Sequence, residues 1–247
     1  YKILIASNNF NNQNIAQIFE DWNNTNLNSY LLDISTQKIL EKIGNKYLLE
    51  KIDDLADDNG TGRWMLKYGL ELGCSLSMLS TAMNTRFISK LQSERNEINK
   101  YIKQSSKNYK VDINSLKGAY EFCRLINFIQ AFCLINAANK KYNWNINISK
   151  ALNVWSNGSI IKSSLINDLY FNYSVENILF DKKIIKDLND CKSDLISVMV
   201  LSLKNDISIP CFSDALNYFN SISSNSLSTN MIQAQRNFFG SHNIKIK

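Results

Sequence analysis

Asn59-Gly60-Thr61-Gly62-Arg63-Trp64 is the hexapeptide whose residue types and spacing best suit the gripping of a ligand. Two glycines around a threonine let the backbone come close to a bound group. Thr61 is placed to cap a helix beginning beside Trp64. Exposed amides at a helix start, with the Arg63 guanidinium beside them, suit a phosphate or a carboxylate. The GxxxxGK[ST] spacing of a mononucleotide-binding loop is missing. On these residues alone an ordinary capped turn is the plainer reading.

Arg86 lies in Met83-Asn84-Thr85-Arg86-Phe87-Ile88, a helical stretch with apolar neighbours. A guanidinium there needs an anionic partner, which is an internal salt bridge before it is a ligand. The single histidine, His242, follows Arg236 by six positions in the tail. Taken alone they are a solvated histidine and a surface charge. Trp64, Trp144 and Trp155 read first as core residues. No Ser-His-Asp set, metal cluster or acid/base carboxylate pair can be assembled, so the residues by themselves give a helical domain with an anion site.

The elements that must position these groups are helical. Glycine numbers eight and proline one, too few turn-makers for many short strands. Apolar residues recur at helical spacing over Asn14 to Trp22, Leu27 to Ile34, Leu48 to Leu55 and Trp64 to Leu72. Ser75 is expected to cap one long helix running to about Ile102, followed by a polar link over Lys103 to Lys110. Leu116 to Ala138 is apolar on nearly all sides, the mark of a helix in the middle of a bundle. Further helices are expected from Ile148 to Trp155, Ile160 to Phe171, Lys183 to Lys204 and Phe212 to Ser221. The opening Lys2 to Ile5 is read as helix, no strand pattern competes elsewhere, and the tail from Ser228 runs out past His242 as a polar end.

The net charge is +6, and its denser pieces, Lys182-Lys183 with Lys186 and Lys245 with Lys247, lack interleaved aromatics. That pattern fits a solvated face and a charged tail rather than a nucleic-acid platform, while positive potential still suits an anionic small molecule. Cys74, Cys123, Cys133, Cys191 and Cys211 show no CxxC spacing, three of them sit in apolar helical patterns as small hydrophobes, and a reducing, cytoplasmic setting without metal is expected. No apolar stretch reaches the ~18 positions of a membrane span, and no signal peptide is visible. Opening on Tyr1 rather than Met suggests a fragment, a processed product or a trimmed chain.

At these same residues the chain resembles the decarboxylating 6-phosphogluconate dehydrogenases. That family's signature I-x-D-x-A-x-x-K-G-T-G-x-W stands here as Ile52-Asp53-Asp54-Leu55-Ala56-Asp57-Asp58-Asn59-Gly60-Thr61-Gly62-Arg63-Trp64. The tail Met231 to His242 matches the family's L-I-Q-A-Q-R-D-Y-F-G-A-H almost residue for residue. Shorter matches lie in order between them at Phe19 to Asn23, Arg86 to Ser89, Tyr142 to Trp144, Trp155 to Ser163 and Ile209-Pro210.

The resemblance implies an all-α, large multi-helix bundle over residues 1–225, serving substrate binding and dimerisation, with an extended tail over 226–247 that reaches into the partner's active site. It makes Arg86 the arginine of the substrate phosphate and Thr61 part of the phosphate loop. Arg236 and His242 become the tail pair contacting substrate in the neighbouring subunit. The implied reaction oxidises the C3 hydroxyl of 6-phosphogluconate with NADP, then loses CO2 to give ribulose 5-phosphate. The NADP-binding Rossmann domain and the acid/base lysine and glutamate are expected upstream of residue 1, so the chain alone should not turn over.

Three departures stand out. Asn59 replaces the family's phosphate-contacting lysine, and Arg63 is expected to take over part of its role. Ser156 and Lys162 stand where the family has arginines, and Asn237-Phe238 replace Asp-Tyr. These leave a second reading open, a non-catalytic relative kept as a dimerisation scaffold. A basic nucleic-acid binder is the weakest alternative.

Overall fold

The computed structural model describes residues 1–7, 9–102, 109–172 and 177–246. Among them are twelve α-helices and a two-stranded hairpin of two residues per strand. The all-α expectation holds. The hairpin, β1 Lys42–Ile43 with β2 Lys46–Tyr47, was not foreseen. It turns at Gly44, whose φ of 64° suits a residue without a Cβ.

The middle of the domain is α7, Ile113–Tyr142, thirty residues long. Phe122, Ile126 and Phe132 on it are fully buried, and Asp112 caps its start by accepting from the amides of Asn114 and Ser115. Its main partner is α10, Lys182–Lys204, which buries Leu188, Leu195 and Val198. Gly118 makes that approach possible, since a Cβ there would lie 2.2 Å from the Asp194 carboxylate. On one side sit α1 (Lys2–Ala6), α2 (Asn12–Asn23) and α3 (Tyr30–Leu40). The Trp22 ring stacks on Tyr120 of α7 at 5.9 Å, and the Tyr109 hydroxyl donates to the Ile3 carbonyl at 2.7 Å. α8 (Ile148–Ser156), α9 (Ser164–Asn172) and α11 (Pro210–Ile222) complete the packing, with α8 against α9 and α11 against α7. The last helix, α12 (Thr229–Gly240), buries none of its residues.

The region carrying the hexapeptide differs most from expectation. Leu48 to Leu55 forms no α-helix: a single turn at Leu48–Glu50 gives way to an irregular segment up to Gly60. Ile52 and Leu55 are 54% and 48% exposed, so no apolar face is buried to hold a helix. The aspartates of this segment instead serve cations on neighbouring helices, as described below. The long helix expected from Ser75 to Ile102 is two, α5 (Ser77–Ser89) and α6 (Gln92–Asn99). The break follows from Arg95, whose guanidinium donates to the Ser89 carbonyl at 3.0 Å, an acceptor that continued helix would otherwise use. Ser75 is not the cap. Buried Gln130 of α7 caps α5 instead, its Oε1 accepting from the Met78 amide at 3.1 Å and its amide donating to the Ser77 hydroxyl.

Smaller corrections are local. α3 begins at Tyr30, capped by Ser29, with Leu27 buried just outside it. α9 begins at Ser164 because 160–163 runs partly extended, the Lys162 carbonyl accepting from the Tyr30 amide and Ser163 pairing with Ser29. Of the three tryptophans expected in the core, Trp64 and Trp144 are 68% and 57% exposed and Trp155 packs on it. Most of the polar link at 103–110, and Lys247, lie outside the described residues. No helix among the described residues is long and apolar enough to cross a membrane.

Candidate functional site

The turn before α4 (Thr61–Glu71) is built by two side chains that hold backbone amides. The Asp58 carboxylate accepts from the Gly60 amide at 3.0 Å, and Asn59 Oδ1 accepts from the Thr61 amide at 3.3 Å. The cap of α4 is therefore Gly60, in the left-handed region at φ 88°, and not Thr61, which is the first helical residue. Gly62 lets α4 lie against α5, since a Cβ there would sit 2.6 Å from Met83 Sδ. That contact brings the Gly60-Thr61 turn beside the helix that bears Arg86.

The segment before the turn is pinned to α4, to α5 and its C-terminal end, and to α6 by a series of cation–carboxylate and backbone contacts. Arg95 grips Asp54 with both terminal nitrogens, at 2.6 and 2.8 Å. The Ala56 amide donates to Ser89 Oγ at 3.0 Å. Lys90 Nζ is 2.6 Å from Asp57 Oδ1, and Arg86 donates to the Asp57 carbonyl at 3.0 Å. Arg63 donates to Asp58 at 2.8 Å and lies over the Phe87 ring. Hydrogen bonds from Arg95 and Lys90 hold the Asp54 and Asp57 carboxyls below their ordinary range.

Arg86 is thus exposed and tied to a backbone carbonyl, so the internal salt bridge expected for it is not made. No carboxylate among the described residues pairs with it, and it lines a pocket of about 450 Å³ with Tyr1, Lys2, Thr85, Pro210 and Phe212. α11 begins at this pocket without a side-chain cap, its amide end adding positive potential. Thr61, Asn59 and Arg63 are exposed nearby on the turn.

Arg236 and His242 are placed elsewhere. Both are exposed on α12 and the residues after it. Gln233 donates to the Asn243 carbonyl and Asn237 to that of His242, wrapping 241–243 round the end of the helix. No hydrogen bond or ion pair among the described residues joins them to Arg86 or Thr61. Met231, Ile232, Phe238 and Phe239 on the same helix are 63%, 56%, 93% and 75% exposed.

Sequence reasoning missed Lys90 and Asp58, which hold the turn segment in place. Lys90 was legible as the residue one turn beyond Arg86, at i+4 on the same face. Asp58 entered only as one position of the family signature. The five cysteines are free, and burial pushes each thiol up, Cys191 to about 11, so none serves as a ready thiolate.

Among the described residues an all-α bundle sets an arginine-bearing helix against a glycine–threonine turn. The chain belongs to the 6-phosphogluconate dehydrogenase family, whose C-terminal-domain model matches residues 1–247. It is 33% identical to "6-phosphogluconate dehydrogenase, decarboxylating" of Buchnera aphidicola (subsp. Baizongia pistaciae), over 99% of this chain and 54% of that protein. The Escherichia coli (strain K12) protein of the same name is 32% identical over the same shares. A Plasmodium falciparum 6-phosphogluconate dehydrogenase, described in apo form and in complexes with NADP+ and with 6-phosphogluconate, superposes with a TM-score of 0.91 at 28% identity. That match covers 99% of this chain and 55% of the other. The chain spans about half the length of the relatives it matches.

Proposed function

We propose that this chain is the substrate-gripping and dimer-forming half of an NADP-dependent, decarboxylating 6-phosphogluconate dehydrogenase acting in the cytoplasm. The observation that carries the reading is Arg86, lining a pocket with no carboxylate paired to it among the described residues and tied through Asp57 to the Gly60-Thr61 turn. A phosphate held there would take charge-assisted bonds from the guanidinium and bonds from Thr61. The sugar acid would extend from it toward the part of the relatives that this chain does not match.

NADP supplies the hydride acceptor in this reading. The described residues contain no parallel sheet and no strand–glycine turn–helix unit, so its dinucleotide would rest mainly on that other part. The chain's own residues bind, orient and shield the phosphate end. Arg236 and His242 would act in the neighbouring subunit. An exposed α12 carrying four outward apolar side chains supports a tail that completes itself against a second copy.

Arg63 was expected to replace the lysine missing at 59. Its guanidinium is committed to Asp58, which gives it the role of holding the turn in shape. That commitment and Asn59 are also what favours the scaffold reading. In the complete protein, Arg86→Ala should raise the KM for 6-phosphogluconate about tenfold or more, the order of a lost hydrogen bond to a charged group. A KM unchanged by Arg86→Ala, or no turnover at all with intact NADP binding, leaves the scaffold.

A further inference from the structure

Ser89 closes α5 one turn beyond Arg86, and its hydroxyl makes two bonds. Oγ donates to the Arg86 carbonyl at 2.7 Å and accepts from the Ala56 amide at 3.0 Å. The first is the ordinary back-bond of a serine in a helix. The second reaches 33 positions along the chain and joins the backbone of Arg86 to the segment before the turn. Asp57, next in that segment, offers its carbonyl to Arg86 Nη1 at 3.0 Å. The contacts close a ring, from the Arg86 carbonyl through Ser89 and Ala56 to Asp57 and back to the tip of the Arg86 side chain. Ser89 is itself held, because its carbonyl accepts from Arg95, which grips Asp54 with both terminal nitrogens.

An exposed arginine samples many rotamers, and ordering it on binding weakens the grip on a ligand. Here both ends of the Arg86 side chain are tied to adjacent residues of one segment, so the guanidinium is arranged before an anion arrives. We infer that Ser89 is a positioning residue for Arg86, aiming its guanidinium at a phosphate ester through the bridge between the Arg86 carbonyl and the Ala56 amide. The inference rests on the reading of Arg86 as the arginine of the phosphate site. Ser89 acts through Arg86 and not on the substrate, since its one proton is already given to the Arg86 carbonyl. A threonine keeps the hydroxyl and can make the same bond to the carbonyl three residues back.

The test is calorimetric titration of the complete protein with 6-phosphogluconate and, separately, with NADP. Wild type is compared with Ser89→Ala, Ser89→Thr, Arg86→Ala and the Ser89→Ala, Arg86→Ala double variant, with melting temperatures recorded to show that each folds. Ser89→Ala should weaken 6-phosphogluconate about fivefold, the order of one lost hydrogen bond, and leave NADP unmoved. Ser89→Thr should restore the affinity to within about twofold. The double variant should bind within about twofold of Arg86→Ala, because the bridge then has nothing to position. Ser89→Ala binding as wild type while Arg86→Ala binds weakly overturns the role of Ser89 and leaves the functional reading standing. A fivefold loss that persists in the Arg86→Ala background, or that strikes NADP equally, also overturns it. Arg86→Ala without effect, or a wild type that does not bind 6-phosphogluconate, removes the functional reading and this inference together.

Discussion

The Asp58 carboxylate accepts from the Arg63 guanidinium at 2.8 Å with its own side chain only 4% exposed, while the Arg63 side chain is 61% exposed. The same carboxylate accepts from the Gly60 amide. One buried group thereby fixes both the backbone of the turn and the cation at its flank. If Arg63 works through the turn, Asp58→Asn and Arg63→Ala should both raise the KM for 6-phosphogluconate, and the double variant should be little worse than either. If Arg63 instead touches phosphate directly, freeing it by Asp58→Asn should lower the KM while Arg63→Ala raises it. Steady-state kinetics of the three variants separates the two roles.

Gln130 is the remote support of Arg86. It is 2% exposed and supplies from α7 the cap that α5 lacks in its own sequence. Gln130→Leu leaves the Met78 amide without its acceptor inside the core, which should lower unfolding stability by about 1–3 kcal/mol. Urea denaturation measures this, and a change below about 0.5 kcal/mol would place the cap elsewhere.

The acid limb of stability should carry a signature of the pinned segment. Asp54 is depressed first by its hydrogen bond from Arg95, and Asp57 by that from Lys90. A carboxyl depressed on folding contributes stability that is fully present above its unfolded value, about 3.9, and is lost as pH falls through the lower folded value. Both groups are exposed, so the effect is modest and screened by salt. Melting temperature recorded from pH 6 to 2 should fall less steeply in the Asp54→Asn, Asp57→Asn variant than in wild type. Parallel curves would show that these pairs add nothing.

Much of the bundle was legible because helical periodicity is a local property. The all-round apolar stretch at Leu116 to Ala138 had to be central, and α7 is. What could not be read were outcomes decided by distant partners. Ile52 and Leu55 keep helical spacing, yet the segment is shaped by Arg95, Lys90 and Arg63 drawing its aspartates. The break after Ser89 depends on a side chain six residues on, and the cap of α5 comes from a residue 52 positions away. In the candidate site, Thr61 and Arg86 were singled out from the motif and the charge among apolar neighbours.

The tail gives the most direct test of the central claim, that Arg86 of one subunit and Arg236 of the partner subunit share one substrate. Complete proteins bearing Arg86→Ala alone or Arg236→Ala alone are each expected to be nearly inactive. Mixed, dissociated and reassociated at equal amounts, they form mixed dimers in which one site has both intact arginines, so about a quarter of wild-type activity should return under two-fold symmetry. Activity that stays at the level of the separate variants, although mixed dimers have formed, would mean that each site draws Arg86 and Arg236 from the same chain, contrary to this account.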